Sequence, residues 1–204
     1  AGDNTQVRIL DVCLQVARGL QYTHSCGRDL VHGDVKPANV LVMTAKEDMK
    51  PGGVVDVVVA DFGIFGGRVE SGDRLGTDSC DGALLADGAP PSPDDHKQRG
   101  YTASYASPEQ LQRGGVVGPS SDVWSLGVMM LELMCRRRVT KTAVCRGDLA
   151  GTVPPGQLSD VWDLLSACMS LSVDARPDMK DVVTRLEKLT QAAIDMLSKG
   201  ETMK

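Results

Sequence analysis

An acid, an amine and an amide lie close together in residues 32–39, which read His-Gly-Asp-Val-Lys-Pro-Ala-Asn. The carboxylate of Asp34 can take up a proton, the ammonium of Lys36 can neutralise an anion, and Asn39 carries an amide. Pro37 fixes its own φ angle and biases the preceding lysine away from helix, which stiffens the segment. We therefore predict a rigid loop that directs these three polar side chains at one point.

This stretch resembles the catalytic loop of protein kinases, whose pattern is H-R-D-x-x-x-x-N. A lone H-x-D would be weak, but further motifs of that family follow in the same chain order, and they span nearly the whole sequence. They are Asp61-Phe62-Gly63 for D-F-G, Ser107-Pro108-Glu109 for A-P-E, the central-helix motif at residues 122–127, and the late arginine in Arg176-Pro177.

The resemblance implies a role for each polar residue of the loop. Asp34 would be the catalytic base for the attacking hydroxyl, and Lys36 the cation that contacts the γ-phosphate of ATP. Asn39 and Asp61 match the two Mg²⁺-binding positions of the family, and their hard oxygen atoms suit that ion. Leu41 resembles the residue under the adenine ring. Lys36, Asn39, Leu41 and Asp61 would therefore hold ATP and Mg²⁺, and the partner would be a protein substrate.

Other matching positions imply structural roles. His32 is expected to pack behind the loop near Phe62 rather than to react. Glu109 and Arg176 resemble a buried ion pair that ties the substrate-facing segment to the late helices. Asp122 resembles the residue that anchors the catalytic loop from below. His24, at the end of the first predicted helix, is interpreted as an ordinary polar residue of a helix end.

The sequence also departs from the kinase pattern. Gly33 stands where the family usually has the arginine that pairs with a phosphate on the activation segment, so a non-RD kinase is expected. Lys36 together with Thr102 follows the serine/threonine pattern rather than the tyrosine one. Nothing before Thr5 can form the glycine-rich loop or supply the lysine and glutamate of an N-terminal lobe, and the chain begins at Ala1. We therefore expect a C-terminal lobe without its N-terminal lobe.

Apolar spacing predicts the elements that must position these residues. Steps of three and four residues indicate amphipathic helices, and the stretch after Ser120 is apolar on every face, which predicts a buried central helix capped by Ser120 or Ser121. Two β-branched runs indicate a small hairpin that delivers Asp61 to the site. The predicted helices span 5–25, 120–134, 157–169 and 178–197, and the predicted strands span 40–43 and 54–60.

These elements predict a protein-kinase-like α+β fold, in which a mostly α-helical C-terminal lobe carries a small β-hairpin. Residues 1–198 would form that lobe, and residues 199–204 a tail. Residues 66–98 are rich in Gly, Asp, Ser and Pro and offer few apolar anchors. We interpret them as a mobile insertion in the activation segment.

Length and composition exclude several classes of protein. The 204 residues are 42% hydrophobic and only 3% aromatic, which predicts one domain with a mostly aliphatic core. The net charge of −5 gives no general attraction to nucleic acid or anionic lipid, and no apolar run approaches membrane-spanning length. The six cysteines form no C-x-x-C pair. They predict reduced core thiols of an intracellular, cytoplasmic protein rather than a disulfide or zinc framework.

Three functions follow from these observations. The first is the C-terminal lobe of an active serine/threonine protein kinase that transfers the γ-phosphate of ATP. The second is a pseudokinase or truncated lobe that acts as a binding or scaffold module, which the missing lobe favours. The third is a small-molecule phosphotransferase, which can share H-x-D and a metal-binding aspartate. The intact set of Asp34, Lys36, Asn39 and Asp61 favours the first, because a scaffold has no chemical need for it.

Overall fold

The computed structural model describes residues 5–26, 30–43, 55–62, 102–112, 115–138 and 159–199. These residues form five helices and one two-stranded sheet, with short 3-10 turns at Pro37–Asn39 and Val173–Ala175. The predicted insertion at 66–98 and nearly all of the predicted tail lie outside the described residues. In chain order the elements are α1 (Thr5–Ser25), β1 (Val40–Val42), β2 (Val57–Val59), α2 (Pro108–Leu111), α3 (Pro119–Cys135), α4 (Ser159–Cys168) and α5 (Met179–Ser198).

Helix α3 is the centre of the fold. Every side chain from Ser121 to Leu131 is buried, as expected for a helix that is apolar on all faces. Helices α1, α4 and α5 all pack against it. The predicted cap at Ser120 or Ser121 was wrong, because the helix begins after Gly118. The hydroxyl of Ser121 instead accepts from the Gly118 N–H at 3.3 Å and donates to Glu109 at 2.8 Å.

Helix α4 approaches α3 so closely that only glycine fits at position 127. A Cβ on Gly127 would lie 2.9 Å from both the Cβ of Cys168 and the Cγ of Met169. Gly19 in α1 is the opposite case. A Cβ there would meet only a methyl group of Val59, at an ordinary contact distance of 3.7 Å.

We expect alanine substitutions at these two glycines to change stability in opposite directions. Gly127→Ala forces overpacking, which costs about 1–3 kcal/mol and outweighs the gain in helix propensity of about 1 kcal/mol. Gly19→Ala keeps the propensity gain without a clash and should raise the free energy of unfolding by up to about 1 kcal/mol. Urea denaturation of both variants measures the change in the free energy of unfolding. Equal changes for Gly127→Ala and Gly19→Ala would contradict the close approach of α3 and α4.

Helix α1 supports the hairpin as well as the helical core. It packs along α5, α3 and β2. The side-chain amide of Gln15 bonds the outer edge of the hairpin, because its Nε2 donates to the Val55 carbonyl at 2.8 Å and its Oε1 accepts from the Val57 N–H at 3.1 Å. The side chain of Gln15 therefore bonds backbone groups that a further strand would otherwise bond at this edge of β2.

The two strands form an antiparallel hairpin, in which β1 begins at Val40 as predicted and ends one residue earlier, and β2 is shorter at both ends than predicted. Leu41 pairs with Val58 at its centre. Both of these side chains are about half exposed, at 49% and 50%. The face of the hairpin opposite the helices is therefore apolar and open to solvent. Among the described residues, no helix is both long and apolar enough to cross a bilayer.

The cysteines follow the prediction only in part. Cys13 and Cys168 are buried, and burial raises the pKa of each thiol to about 12, which keeps it neutral. Cys135 is half-buried, whereas Cys26 is exposed at the end of α1, so the prediction of a core thiol was wrong there. These four cysteines are free thiols. The intracellular location stays a prediction.

Candidate active site

Asp34 lies at the centre of the polar residues of the loop formed by residues 30–39. Asp34 is 4% exposed, and both oxygens of its carboxylate accept hydrogen bonds. Oδ1 accepts from the backbone N–H of Thr102 at 2.8 Å. Oδ2 accepts from the ammonium of Lys36 and, at 3.4 Å, from Nδ2 of Asn39. The structure therefore brings together the acid, the amine and the amide that the sequence placed within six residues.

Lys36 joins this loop to the segment of residues 102–111. Besides its contact with Asp34, its Nζ donates to the hydroxyl oxygen of Thr102 at 2.7 Å. Thr102 is thus bound twice, through its N–H to the carboxylate and through its hydroxyl to the ammonium. A lysine ammonium has three donors, and among the described residues these two contacts use two of them.

His32 is buried behind the loop, as expected. Its Nδ1 accepts from the N–H of Asp34 at 3.2 Å, so the proton is assigned to Nε2, which donates to the carbonyl of Ala60 at 2.9 Å. The ring also packs against Phe62, with ring centroids 4.5 Å apart. His32 therefore fixes the backbone on both sides of the site, at Asp34 and just before Asp61.

Asp122 anchors the loop from α3, as expected from the sequence. Its fully buried carboxylate accepts from the N–H groups of His32 and Gly33, at 2.9 Å and 2.8 Å. Oδ2 also contacts Nε2 of His24 at 2.8 Å. The interpretation of His24 as an ordinary helix-end residue was therefore wrong. Nothing near His24 in the sequence indicates this contact, because its partner is 98 residues away.

Gln110 makes the other contact to the loop that the sequence reasoning missed. It is buried, and its Nε2 donates to the carbonyl of Gly33 at 2.8 Å. Its Oε1 accepts from the N–H of Ser107 at 2.9 Å and from the Ser107 hydroxyl at 3.1 Å. The spacing Ser-x-x-Gln before a short helix is the signature of a capping box. It could have indicated the contact of Gln110 with Ser107, but not its contact with Gly33.

Asn39 and Asp61 are brought to neighbouring positions by the base of the hairpin. The N–H of Ala60 donates to the Asn39 carbonyl at 2.8 Å, so Asp61 follows directly after a backbone bond to Asn39. Nδ2 of Asn39 is used by the Asp34 carbonyl at 2.8 Å, which leaves Oδ1 as the atom that could bind a metal. Asp61 is exposed and has a φ angle of 67°, a strained conformation that is enriched at functional sites.

These two side chains fit one part of a Mg²⁺ site. They offer an amide oxygen and a carboxylate, which are hard ligands. Within the part of the chain that the structure describes, there is no group of three or more His, Cys, Asp or Glu residues that could hold a metal ion. Mg²⁺ is commonly held by one or two carboxylates together with phosphate oxygens of a substrate, and this pair suits that mode of binding.

The ion pair of Glu109 and Arg176 connects α2 to the helical core, as expected. The contact is bidentate, at 2.7 Å and 2.9 Å, and the arginine side chain is fully buried. Arg176 also donates to the carbonyls of Ser170 and Ser120, and it stacks 4.9 Å from the ring centre of Trp124. Burial raises the pKa of Glu109, but hydrogen bonds and the charge of Arg176 outweigh this and lower it overall.

The sequence of this chain is similar to those of known protein kinases. The family model of the protein kinase domain matches residues 3–186. Receptor-interacting serine/threonine-protein kinase 3 of Rattus norvegicus is 27% identical over 185 residues, which cover 82% of this chain and 33% of that protein. Mitogen-activated protein kinase kinase 9 of Arabidopsis thaliana is 31% identical over 170 residues, which cover 81% and 41%. This chain therefore spans less than half the length of either relative.

Proposed function

We propose, because this chain belongs to the protein kinase family, that it forms the C-terminal lobe of a serine/threonine protein kinase. Members of this family transfer the γ-phosphate of ATP to protein hydroxyls and use Mg²⁺. The reaction is proposed for a longer protein of which this chain is one part, since the chain covers only 41% of a relative such as mitogen-activated protein kinase kinase 9.

The contact of Asp34 and Lys36 with Thr102 carries the proposal. A carboxylate that is almost completely buried faces an ammonium, and both bind the segment that follows residues 66–98. Burying a carboxylate is unfavourable unless it is paired, and three donors compensate for it here. An arrangement of this kind holds a carboxylate in a fixed place beside a cation, which suits a proton acceptor in a transfer reaction.

The proposed step needs both a proton acceptor and a cation. The hydroxyl oxygen of a serine or threonine attacks the γ-phosphorus, the bond to the ADP oxygen breaks, and Asp34 takes the hydroxyl proton. We assign the ammonium of Lys36 to the neutralisation of charge on the phosphoryl oxygens. Mg²⁺, when bound, neutralises charge on the phosphates, and Oδ1 of Asn39 and the carboxylate of Asp61 are the ligands we assign to it.

Two further observations support the nucleotide and the class of substrate. The exposed side chain of Leu41 offers an apolar surface next to Asn39, and we assign the adenine ring to it. The bond from Lys36 to the Thr102 hydroxyl links the proposed site to the segment that would face a protein substrate. The Rattus norvegicus relative is named a serine/threonine-protein kinase, which agrees with that substrate class.

Gly33 adds a statement about regulation to the proposal. It has no side chain, so this position cannot supply the cation that would pair with a phosphate on residues 66–98. We therefore propose that transfer does not depend on such a pairing, which is the behaviour of a non-RD kinase.

A phosphotransfer assay tests the proposed function. The full-length protein containing this chain is first treated with phosphatase and then incubated with ATP, Mg²⁺ and a mixed protein substrate. We expect phosphoserine and phosphothreonine to form, EDTA to stop their formation, and excess Mg²⁺ to restore it. Phosphorylated small molecules without phosphoprotein would support the small-molecule phosphotransferase instead.

The exposed apolar face of the hairpin favours the binding module as a second candidate. Leu41 and Val58 are 49% and 50% exposed, and apolar surfaces of this kind often mark a binding site. A full-length protein that binds ATP yet transfers no phosphate in the same assay would favour this candidate over the enzyme.

A further inference from the structure

We propose that Gln110 is a positioning residue, which fixes the peptide bond between Gly33 and Asp34 and thereby the direction of the Asp34 carboxylate. This inference rests on the proposed function. It assigns a task in the reaction to a glutamine of the 102–111 segment that contacts no reacting atom itself.

Both ends of the Gln110 amide are used, which defines its orientation. The residue is 2% exposed. Its oxygen lies toward the N–H and the hydroxyl of Ser107, and its nitrogen lies toward the carbonyl of Gly33. A flipped amide would set its NH₂ group against the N–H of Ser107 and its oxygen against the carbonyl of Gly33, so these two contacts allow only one arrangement.

The Gly33–Asp34 peptide follows the one glycine among residues 30–39. Gly33 has a φ angle of 75°, and glycine has more backbone freedom than any other residue. Asp122 holds the N–H of Gly33, which belongs to the preceding peptide, at 2.8 Å. On the Gly33–Asp34 peptide itself, His32 holds the N–H of Asp34 at 3.2 Å, and the bond from Gln110 to the Gly33 carbonyl is the second restraint.

The same bond couples two regions that must act together. Oδ1 of Asp34 accepts from the N–H of Thr102, and the Gly33 carbonyl accepts from Gln110. The 102–111 segment therefore binds the loop at both of these points. Because Gly33 has no side chain, this residue cannot make such a link itself. We infer that Gln110 supplies it without any phosphate.

A purely structural role can be separated from this one by substitution. The capping contact to Ser107 uses only the oxygen of Gln110, whereas the contact to Gly33 uses only its nitrogen. Gln110→Glu keeps the acceptor and removes the donor. Gln110→Met removes both but preserves the length and volume of the side chain.

Steady-state kinetics of the full-length protein gives the first test. For Gln110→Glu and Gln110→Met we expect kcat to fall about 10- to 100-fold, because small displacements of a reacting group are costly. The KM for ATP should change by less than about 2-fold, since the ground-state contacts of the nucleotide are not altered. Gln191→Ala is the control, because the amide of Gln191 bonds Asp195 on the exposed surface of α5, away from the loop.

Amide hydrogen exchange gives a readout that does not need activity. The Asp34 N–H should exchange at least about 10-fold faster in both variants, whereas the core amide of Val128 should not change, because only the loop opens locally. A wild-type protein that is inactive but shows this exchange pattern would refute the proposed function and keep the restraint on the peptide. An active wild type with unchanged kcat and unchanged exchange in the variants would refute the inference. If Gln110→Glu does not fold, the same comparisons are decided by Gln110→Met.

Discussion

Replacing Asp34 by asparagine should lower the rate of phosphoryl transfer by about 10²- to 10⁴-fold, which is the usual contribution of a general base. The amide is similar in size to the carboxylate but cannot take up the hydroxyl proton. It also turns an NH₂ group toward donors, because Thr102, Lys36 and Asn39 all donate to this side chain. The measurement is kcat of the full-length protein with a serine-containing peptide.

The fold should survive this substitution. The loop backbone is held by Asp122 and His32, and neither contact involves the Asp34 carboxylate. We expect the melting temperature to change by only a few degrees, as for an effect of about 1 kcal/mol. Asp174→Asn removes the same charge from an exposed position and serves as the control for net charge. Wild-type turnover in Asp34→Asn would show that this carboxylate is not the base.

Local pattern was sufficient to predict the four longer helices, but not the short helix α2. Apolar residues on every face predict the burial of α3, and the spacing in α1 and α5 predicts which sides face it. The cap at Asp178 was also predictable, since its side chain accepts from the N–H of Asp181 at 2.7 Å. These features depend on residues that lie within a few positions of one another.

Contacts between distant polar side chains were not predictable unless a motif indicated them. Glu109 with Arg176 could be predicted because both belong to motifs of the resembling family. His24, Gln15 and Gln110 belong to none, and each bonds a group 40 or more residues away. Hydrophobic periodicity carries no information about such bonds, because it reports only which face of an element is buried.

The start of α3 shows how tertiary contacts override a local preference. Serine is a good N-cap, and two serines stand at the expected place. The hydroxyl of Ser121 is needed by Glu109 at 2.8 Å, and helix α3 begins after Gly118 instead. The capping rule identified the right region and the wrong residue, because a buried carboxylate gains more from a hydrogen bond than an exposed helix end does.

Truncating Arg176 to alanine should have the largest effect on stability, a loss of about 3–5 kcal/mol in the free energy of unfolding. The substitution leaves the Glu109 carboxylate unpaired, and the carbonyls of Ser170 and Ser120 also lose a donor. It also removes the contact of the guanidinium with Trp124. Urea denaturation measures the loss, and the slope of unfolding against urea concentration should stay that of the wild type.

A second ion pair of the same type provides the control, because Arg18 and Glu187 meet at 2.8 Å between α1 and α5 with both side chains about half exposed. Arg18→Ala should therefore cost less than about 1 kcal/mol.

The pH dependence of stability is an independent test of the pair of Glu109 and Arg176. The pKa of Glu109 is lower in the folded state than the ordinary value of 4.5, so its contribution is present above that value and is lost as the pH falls through the folded-state pKa. The stability gap between wild type and Glu109→Gln should accordingly narrow in acid, and a gap that widens there would contradict a Glu109 carboxylate stabilised by Arg176.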